Sequence, residues 1–478
     1  MSLVRLSATT QTPRWVCRAV DHQTKALIIG LARTDIATNG GTDKDAMART
    51  PSSALPWEER VCVMATGGPA TVRAAVSWTP GLGYNRAMSD LQNAIDDRIE
   101  AITTLRHDIH SWPEPGFEEV ETHKRILAEL TALGLSPRPC AETGVICDIG
   151  AGERTIALRA DIDCLRMTEA NPDLPWRSKR DGCAHMCGHD GHTSVLIGAA
   201  QLLAKAQDRL NGRVRLIFQP AEEGPGGAAQ MIEEGALDGV DEIYGMHNWP
   251  QAPFGTLRTI AGPCMAHVAS FRATITGKGG HASQPQECVD PIVAASAIVV
   301  GLQTVVSRSV HYQDSAVISV TTMHGGEVFN VIPDQVQLGG TIRVLRDEVW
   351  DVVERRIREV VEGTAASHGA RGEVRFERMY PALVNTPDET AHVERIGGEI
   401  FGGENVGTDE LPMLGAEDFA YFLQHRPGCF FFLGTAQEGR SNAPCHATNF
   451  DFNDALIDPA MRLWIRLVED RLGTSLYD

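Results

Sequence analysis

Between Ala184 and Thr193 the chain reads Ala-His-Met-Cys-Gly-His-Asp-Gly-His-Thr, one thiol and three imidazoles beside two glycines. Thiolate sulfur and imidazole nitrogen are the donors that zinc and related ions prefer. Glycine lets such a loop turn tightly enough to bring its side chains to one point. Taken singly, Cys187 reads as a small buried residue and His192 as an ordinary helix-start histidine; as a set at C-x-H-x-x-H spacing they point to a metal. The apolar run 194–203 follows directly and predicts a helix, so the donors sit on a loop that feeds a helix.

The elements around this loop are expected to gather more donors. Residues 155–160, 213–218 and 242–246 read as strands, followed by Asp161 and Asp163, by Glu222 and Glu223, and by His247. Strands alternating with helices indicate an α/β domain with a largely parallel sheet. In open α/β sheets the ligand crevice lies outside the carboxyl ends of the strands, so these side chains are predicted to converge on one rim. An isolated Glu222-Glu223 pair would be read as solvated surface; delivery from three strands argues against that. His446, after an apolar strand at 430–433, stands where it can reach the same rim.

The helices that frame the domain are legible from period. Leu91, Ile95, Ile99, Ile102, Leu105 and Ile109 recur every three or four residues until Pro113 and Pro115 stop the pattern, and a second helix is predicted over 120–133. From about residue 268 the order becomes strand 268–277, helix 291–307, strands 316–323 and 335–345, helix 349–362, strand 373–379. That order is βαββαβ, a ferredoxin-like unit. The expected organisation is a catalytic domain over 88–267 and 381–478 with a mixed, largely parallel sheet flanked by helices, and an inserted lid over 268–380. Residues 1–87 differ in composition and read as an extension, a targeting segment, or translation from a start upstream of Met88.

Composition excludes several classes of function. A formal net charge of −19 argues against nucleic acid and anionic membrane, which call for a basic surface. The longest apolar stretch, 291–306, contains Ser296, Gly301, Gln303 and Thr304 and reads as a packed helix, too short and too polar for a bilayer span. Eleven cysteines without a regular framework fit a reducing compartment, and a cytoplasmic location is expected. A zinc nucleobase deaminase would need a P-C-x-x-C run, and a dinucleotide enzyme G-x-G-x-x-G between strand and helix; neither is present at the cluster or at Gly224, Gly226 and Gly227.

From Met88 to the C-terminus the chain closely resembles the M20 metallopeptidase family, in particular its branch of hippurate, N-acyl-amino-acid and auxin-conjugate amidohydrolases. The motifs that carry the resemblance are His110-Ser-Trp-Pro-Glu-Pro-Gly-Phe-Glu-Glu119, Arg159-Ala-Asp-Ile-Asp163, Cys187-Gly-His-Asp-Gly-His-Thr193, Gln219-Pro-Ala-Glu-Glu-Gly224, Gly245-Met-His247, Gly280-His-Ala282, Asn330-Val-Ile-Pro333, Gly415-Ala-Glu-Asp-Phe419 and His446 with Phe450-Asp-Phe-Asn-Asp454. The resemblance implies two divalent metal ions per subunit, zinc, manganese, cobalt or nickel, held by Cys187, His189, Glu223, His247 and His446, with the cysteine shared between them. It makes Glu222 the general acid/base and Asp163 a support behind the metal ligands. His281, Asn330 and Arg343 match lid residues that contact the substrate or the developing oxyanion, the histidine acting from the neighbouring subunit in dimeric relatives. Arg166, Gln286 and Met413 depart from the usual pattern, at positions that line or brace the pocket.

The expected activity is hydrolysis of an N-acyl or N-aroyl amino acid to a carboxylic acid and a free amino acid. The expected assembly is a homo-oligomer formed through the lid. The alternatives are deacetylation of a substrate such as N-acetyl-diaminopimelate, cleavage of a dipeptide, and, in another class, a non-catalytic binding protein on the same scaffold. Glu222 argues against the last, since metal binding alone does not need it.

Overall fold

The computed structural model describes residues 86–477. The expectations for residues 1–87 fall, apart from the start of the first helix, outside the described residues.

Helix α1 (Arg86–Ser111) buries Leu91, Ile95, Ile102, Leu105 and Ile109, the stripe its spacing dictates. Helix α2 (Val120–Ala132) ends before Gly134, whose φ of 78° turns the chain away. The strands β1 (Arg138–Cys140) and β2 (Gly144–Ala151) then form an antiparallel edge, and β3 (Thr155–Asp161) enters the sheet buried along its whole length. Helix α3 (His189–Lys205) follows the cysteine–histidine loop. Next come β4 (Gly212–Gln219), α4 (Ala228–Glu233), β5 (Glu242–Pro253) and the short β6 (Leu257–Arg258) and β7 (Gly262–Met265).

α3 lies between the sheet and helices α1 and α9 (Ile457–Leu472), and its Val195, Leu196, Ile197, Leu202 and Leu203 are all fully buried. A helix apolar all round is one enclosed on every side. At about 1.5–3 kcal/mol per buried aliphatic side chain, this packing holds the start of α3, and hence the metal-type donors, in a fixed place. Gly198 admits α9 so closely that a Cβ there would stand 2.7 Å from Met461 Sδ.

The inserted segment builds its own sheet. Strands β8 (His267–Thr276), β10 (Ala316–His324), β12 (Gln335–Val344) and β13 (Arg371–Arg378) are ordered β10-β12-β8-β13, every pair antiparallel. Helices α5 (Pro291–Ser309) and α6 (Asp347–Ser367) pack on it around Phe271, Ile298, Leu302, Ile342, Trp350 and Ile357. This is the βαββαβ unit, with one addition: Gly280–His281 (β9) and Val331–Ile332 (β11) pair as a separate two-stranded ribbon. α5 has the length and hydropathy of a bilayer span, 19 residues with a mean hydropathy of 1.5, against the sequence reading. Its Ala294, Ala295, Ile298, Leu302 and Val305 are nonetheless packed in the core of this unit.

The chain returns through β14 (Leu383–Asn385), α7 (Pro387–Phe401), β15 (Val406–Gly407), α8 (Ala420–His425) and β16 (Gly428–Ala436) before α9. The finished sheet is ordered β1-β2-β4-β3-β5-β16-β6-β15. Its centre, β4-β3-β5-β16, is parallel; β1 and β2 run antiparallel to their neighbours, and β6 pairs antiparallel with β16 and parallel with β15. The sheet is therefore the mixed, largely parallel one expected. β1 and β2 are not signalled by the sequence pattern, because glycine and aspartate interrupt the run 144–151.

Candidate metal centre and catalytic cleft

The donors converge as the strand order requires. The ligating atoms of Cys187, His189 and His247 lie within 4.8 Å of one another, as do those of Cys187, Glu223 and His446, and those of His189, Glu222 and Glu223. Cys187 belongs to two of these groups, so a single sulfur stands between two sets of donors. Its Sγ is 3.3 Å from His247 Nε2, and His446 Nε2 is 3.0 Å from Glu223 Oε1. His247 lies within β5 and not at its end, because β5 goes on pairing with β16 as far as Pro253.

Gly188 makes this arrangement possible. It caps α3 with φ 106°, and a Cβ there would come within 2.0 Å of Asn248 Oδ1. The residue between Cys187 and His189 thus has to be glycine both for its dihedral and for its space.

Behind the donors stands a layer of fixed partners. Asp163 Oδ1 is 3.2 Å from His189 Nδ1, while its Oδ2 accepts the Glu223 backbone N–H at 3.0 Å. One carboxylate thus contacts two metal-type donors at once. His192 is occupied: Nδ1 is 2.6 Å from Asp161 Oδ1, and Nε2 is 2.7 Å from Asn248 Oδ1. The third imidazole of the opening cluster is therefore a brace, with no ring nitrogen to spare. His189 Nε2, by contrast, is buried and has no hydrogen-bond partner. A buried, orphaned imidazole nitrogen among a thiol and carboxylates is the signature of a cation site, and the donor set of sulfur, nitrogen and oxygen fits divalent ions.

Electrostatics point the same way. Burial, followed by the charges of Glu417, Glu223 and Asp418, pushes the Glu222 carboxyl well above the usual range. Burial and the neighbouring His192 hold His247 well below the usual imidazole range, in the neutral form that ligates metals. Burial would raise Glu223 too, but hydrogen bonding to His446 and the charge of His189 bring it below its ordinary value.

Some residues in this layer carry no role in the sequence reading. Arg159, fully buried on β3, reaches Gln219 Oε1 at 2.8 Å, Asp161 Oδ2 at 2.7 Å and Glu417 Oε1 at 2.8 Å. Losing one partner of such a buried network costs roughly 3–5 kcal/mol. The signal is present in the sequence: an arginine in the otherwise apolar run 155–160 must find carboxylates. The motif 110–119 puts no group in the cleft but grips both halves of the centre. His110 Nδ1 is 3.0 Å from Asp190 Oδ2, beside His189. Glu119 Oε1 accepts the Ala221 N–H at 2.9 Å, beside Glu222, and its Oε2 accepts from Thr143 Oγ1 at 2.6 Å. Ala221 has φ 55°, a left-handed backbone that a non-glycine residue holds only under constraint.

Cys187, Glu222, Glu223, His247 and His446 line one cavity of about 810 Å³, which extends to the lid residues Arg343 and Arg378 and to Tyr380. Tyr380 Oη donates to the Glu222 carbonyl at 2.7 Å, and Arg343 Nη1 to the Leu414 carbonyl at 3.4 Å. Apolar walls come from Trp249, Met265, Met413, Tyr421 and Phe432. His281 and Asn330 are not part of this cavity. They are exposed on the β9/β11 ribbon, where Ala282 N donates to Asn330 O at 3.0 Å and Ser283 Oγ lies 2.8 Å from His281 Nδ1. A larger groove of about 1350 Å³ between α1 and α2 is lined by Asp97, Glu100, Thr104, Asp108 and Arg125 and includes none of the clustered donors.

Residues 157–470 match the model of peptidase family M20/M25/M40. The chain belongs to this family. It is accordingly a hydrolase of amide bonds. It is 40% identical over 371 residues to an IAA-amino acid hydrolase ILR1-like 4 of Arabidopsis thaliana, an alignment covering 76% of this chain and 83% of the relative. It is 43% identical to an N-acetyl-L-cysteine deacetylase of Bacillus subtilis strain 168, over 69% of this chain and 79% of that one. Among solved structures it resembles a dinuclear metal-binding peptidase of the M20 family from Bacillus subtilis, with a TM-score of 0.70, 35% identity, and coverage of 79% of this chain and 99% of that one.

Proposed function

We propose that the protein hydrolyses N-acyl or N-aroyl amino acids, the hippurate type included, to a carboxylic acid and a free amino acid. In this reading Cys187, His189, Glu223, His247 and His446 would hold two divalent cations. The observation that carries it is the placing of one thiol in two donor groups, with Glu222 adjoining both through His189 and Glu223. The printed names of the relatives support it, an amino-acid conjugate hydrolase and an N-acetyl-amino-acid deacetylase among them.

When bound, such ions polarise an amide carbonyl and bring the pKa of water towards neutrality. The remaining steps belong to the chain. Glu222 takes the proton from the attacking water and delivers it to the amide nitrogen as the C–N bond breaks. Tyr380 fixes the backbone of Glu222 from the lid side. Arg343 offers a planar fork to the substrate carboxylate, and burial in the cleft already holds it below its ordinary pKa. The amino acid is thereby anchored towards the lid. Met265, Met413, Trp249 and Phe432 supply apolar surface for the rest of the molecule.

We further propose a homo-oligomer in which His281 and Asn330 complete the cleft of a neighbouring subunit. Both are exposed on the lid of their own chain and away from their own cavity, in a ribbon that also exposes Val328, Phe329 and Val331. A reducing, cytoplasmic setting fits the nine free cysteines among the described residues.

The deciding experiment is amine release by metal-stripped protein to which zinc, manganese, cobalt or nickel has been returned. Its panel holds hippurate, N-acetyl amino acids, indoleacetyl conjugates, N-acetyl-diaminopimelate and dipeptides. Metal-dependent release from the N-acyl amino acids is expected. Release from none of them with metals bound would overturn the assignment. Cys187→Ala is expected to lower metal content, and unchanged stoichiometry would remove it from the ligand set.

A further inference from the structure

One thiol in the cleft has no part in the chemistry just described. Cys445 precedes His446 and lines the same cavity as Cys187. His446 N donates to Met186 O at 2.7 Å, which sets the peptide unit joining 445 to 446 against the one joining 186 to 187. Cys445 Sγ lies 3.5 Å from Cys187 O, and the two thiols are within hydrogen-bonding reach of each other. Bonded neighbours on adjacent backbones are what a disulfide needs, since its Cβ atoms must come within about 4.5 Å. The Asn248 amide donates to Cys445 Sγ at 3.6 Å and holds that side chain at the cleft. Cys445 is partly exposed, whereas Cys140, Cys147, Cys264 and Cys429 are enclosed in the core.

We propose that Cys187 and Cys445 are an oxidisable pair, closed by a peroxide to a disulfide that reversibly dismantles the metal centre. The Cys445 sulfur attacks one peroxide oxygen; the O–O bond breaks, the leaving hydroxide is protonated to water, and Cys445 becomes a sulfenic acid. The Cys187 sulfur then attacks the Cys445 sulfur, the S–O bond breaks, and a second water leaves. Two thiols give up two electrons and two protons, and hydrogen peroxide is reduced to two waters. The Cys187 sulfur, tied up in the disulfide, is no longer a thiolate donor to either cation. A dithiol reductant reverses the change. This inference rests on the proposed ligand role of Cys187 only for its consequence, not for the bond itself.

The test uses the full chain, metal-loaded and metal-stripped, treated with hydrogen peroxide. Free thiols, metal content and non-reducing peptide masses are read beside activity. The expected result is a peptide joining Cys187 to Cys445, metal release, a loss of activity of about tenfold or more, and recovery with dithiothreitol and metal. Cys445→Ser is expected to stay active and to lose activity to peroxide more slowly than the parent, because the sulfur that attacks the peroxide is gone, and not to recover what it loses, because an oxidised Cys187 has no thiol to trap it. Should the serine variant not fold, the peptide masses of the unaltered protein decide alone. A disulfide elsewhere, for instance between the adjacent Cys164 and Cys183, or none at all, would overturn the proposal. So would a Cys445→Ser variant that recovers as the parent does. A Cys187–Cys445 disulfide that leaves metal content unchanged would instead refute the ligand role of Cys187, and with it the off-state, while the pair itself stands.

Discussion

The buried wall of the cleft and the exposed ribbon of the lid offer opposite solutions to placing a functional side chain. In the wall, most donors are backed by another group: His189 and Glu223 by Asp163, His247 by the Asn248 carbonyl, and the strained Ala221 before Glu222 by Glu119, while His446 is exposed and meets Glu223. On the ribbon, His281 and Asn330 are joined to the chain by a few local bonds and otherwise face solvent. A site that holds charge must be fixed in advance, because reorganising buried dipoles costs what solvent would have supplied. Groups that meet the substrate from a second surface need only the right position at closure. The difference teaches that the metal-type donors gather within one chain, whereas His281 and Asn330 stand outside the cavity those donors line.

The sharpest way to test that division is Glu222→Gln. It leaves the donor set intact and is expected to cut kcat by about 10³-fold or more with metal content unchanged, read by turnover beside metal analysis. Next in size, His281→Ala is expected to cost about 10²-fold in kcat, the worth of one oxyanion donor. Mixing its subunits with those of Glu222→Gln should restore activity, since a mixed pair owns one site with both groups intact. No rescue in verified mixed oligomers would place the histidine in its own subunit's cleft.

A smaller loss is expected at Glu119, where the wall can be loosened without touching a donor. Glu119→Met removes the acceptor for the Ala221 N–H and is expected to lower kcat by about 10-fold to 10²-fold with KM little changed, since a small misplacement of a reacting group is costly. Glu119→Gln keeps an acceptor oxygen and should stay near the parent; equal losses in the two variants would refute the bracing role.

The smallest effect is on stability. Burial would lower the His110 imidazole, but the charge and hydrogen bond of Asp190 overcome it and carry the pKa up to about 9 from 6.5. A folded pKa above the unfolded one stabilises fully below the unfolded value and fades as pH rises through the folded one. Thermal stability should therefore fall between about pH 6.5 and about pH 9, and His110→Gln should flatten that slope, read as Tm against pH.

Much of the wall was legible in the chain itself. Residue type names a donor, and strand-loop patterning places Asp163, Glu222 and Glu223 on one rim, because side chains at strand ends share the edge of a sheet. The lid's order of strands and helices was legible for a similar reason: periods of two and near four survive in the sequence whatever the neighbours do. The β9/β11 ribbon left no such trace, being four residues in two pieces held by register alone.

The sequence by itself determined which atoms were available to bind cations and move a proton, and roughly which elements carried them. Only the tertiary structure decided which of them were free. It engaged both nitrogens of His192, left Nε2 of His189 without a hydrogen bond, and gave Cys187 to two donor groups at once. It also enclosed Arg159 among carboxylates and brought Cys445 against Cys187 from a distant part of the chain. The reason is physical: donor chemistry is a property of one residue, whereas occupancy, burial and contact depend on groups that the sequence separates and packing reunites.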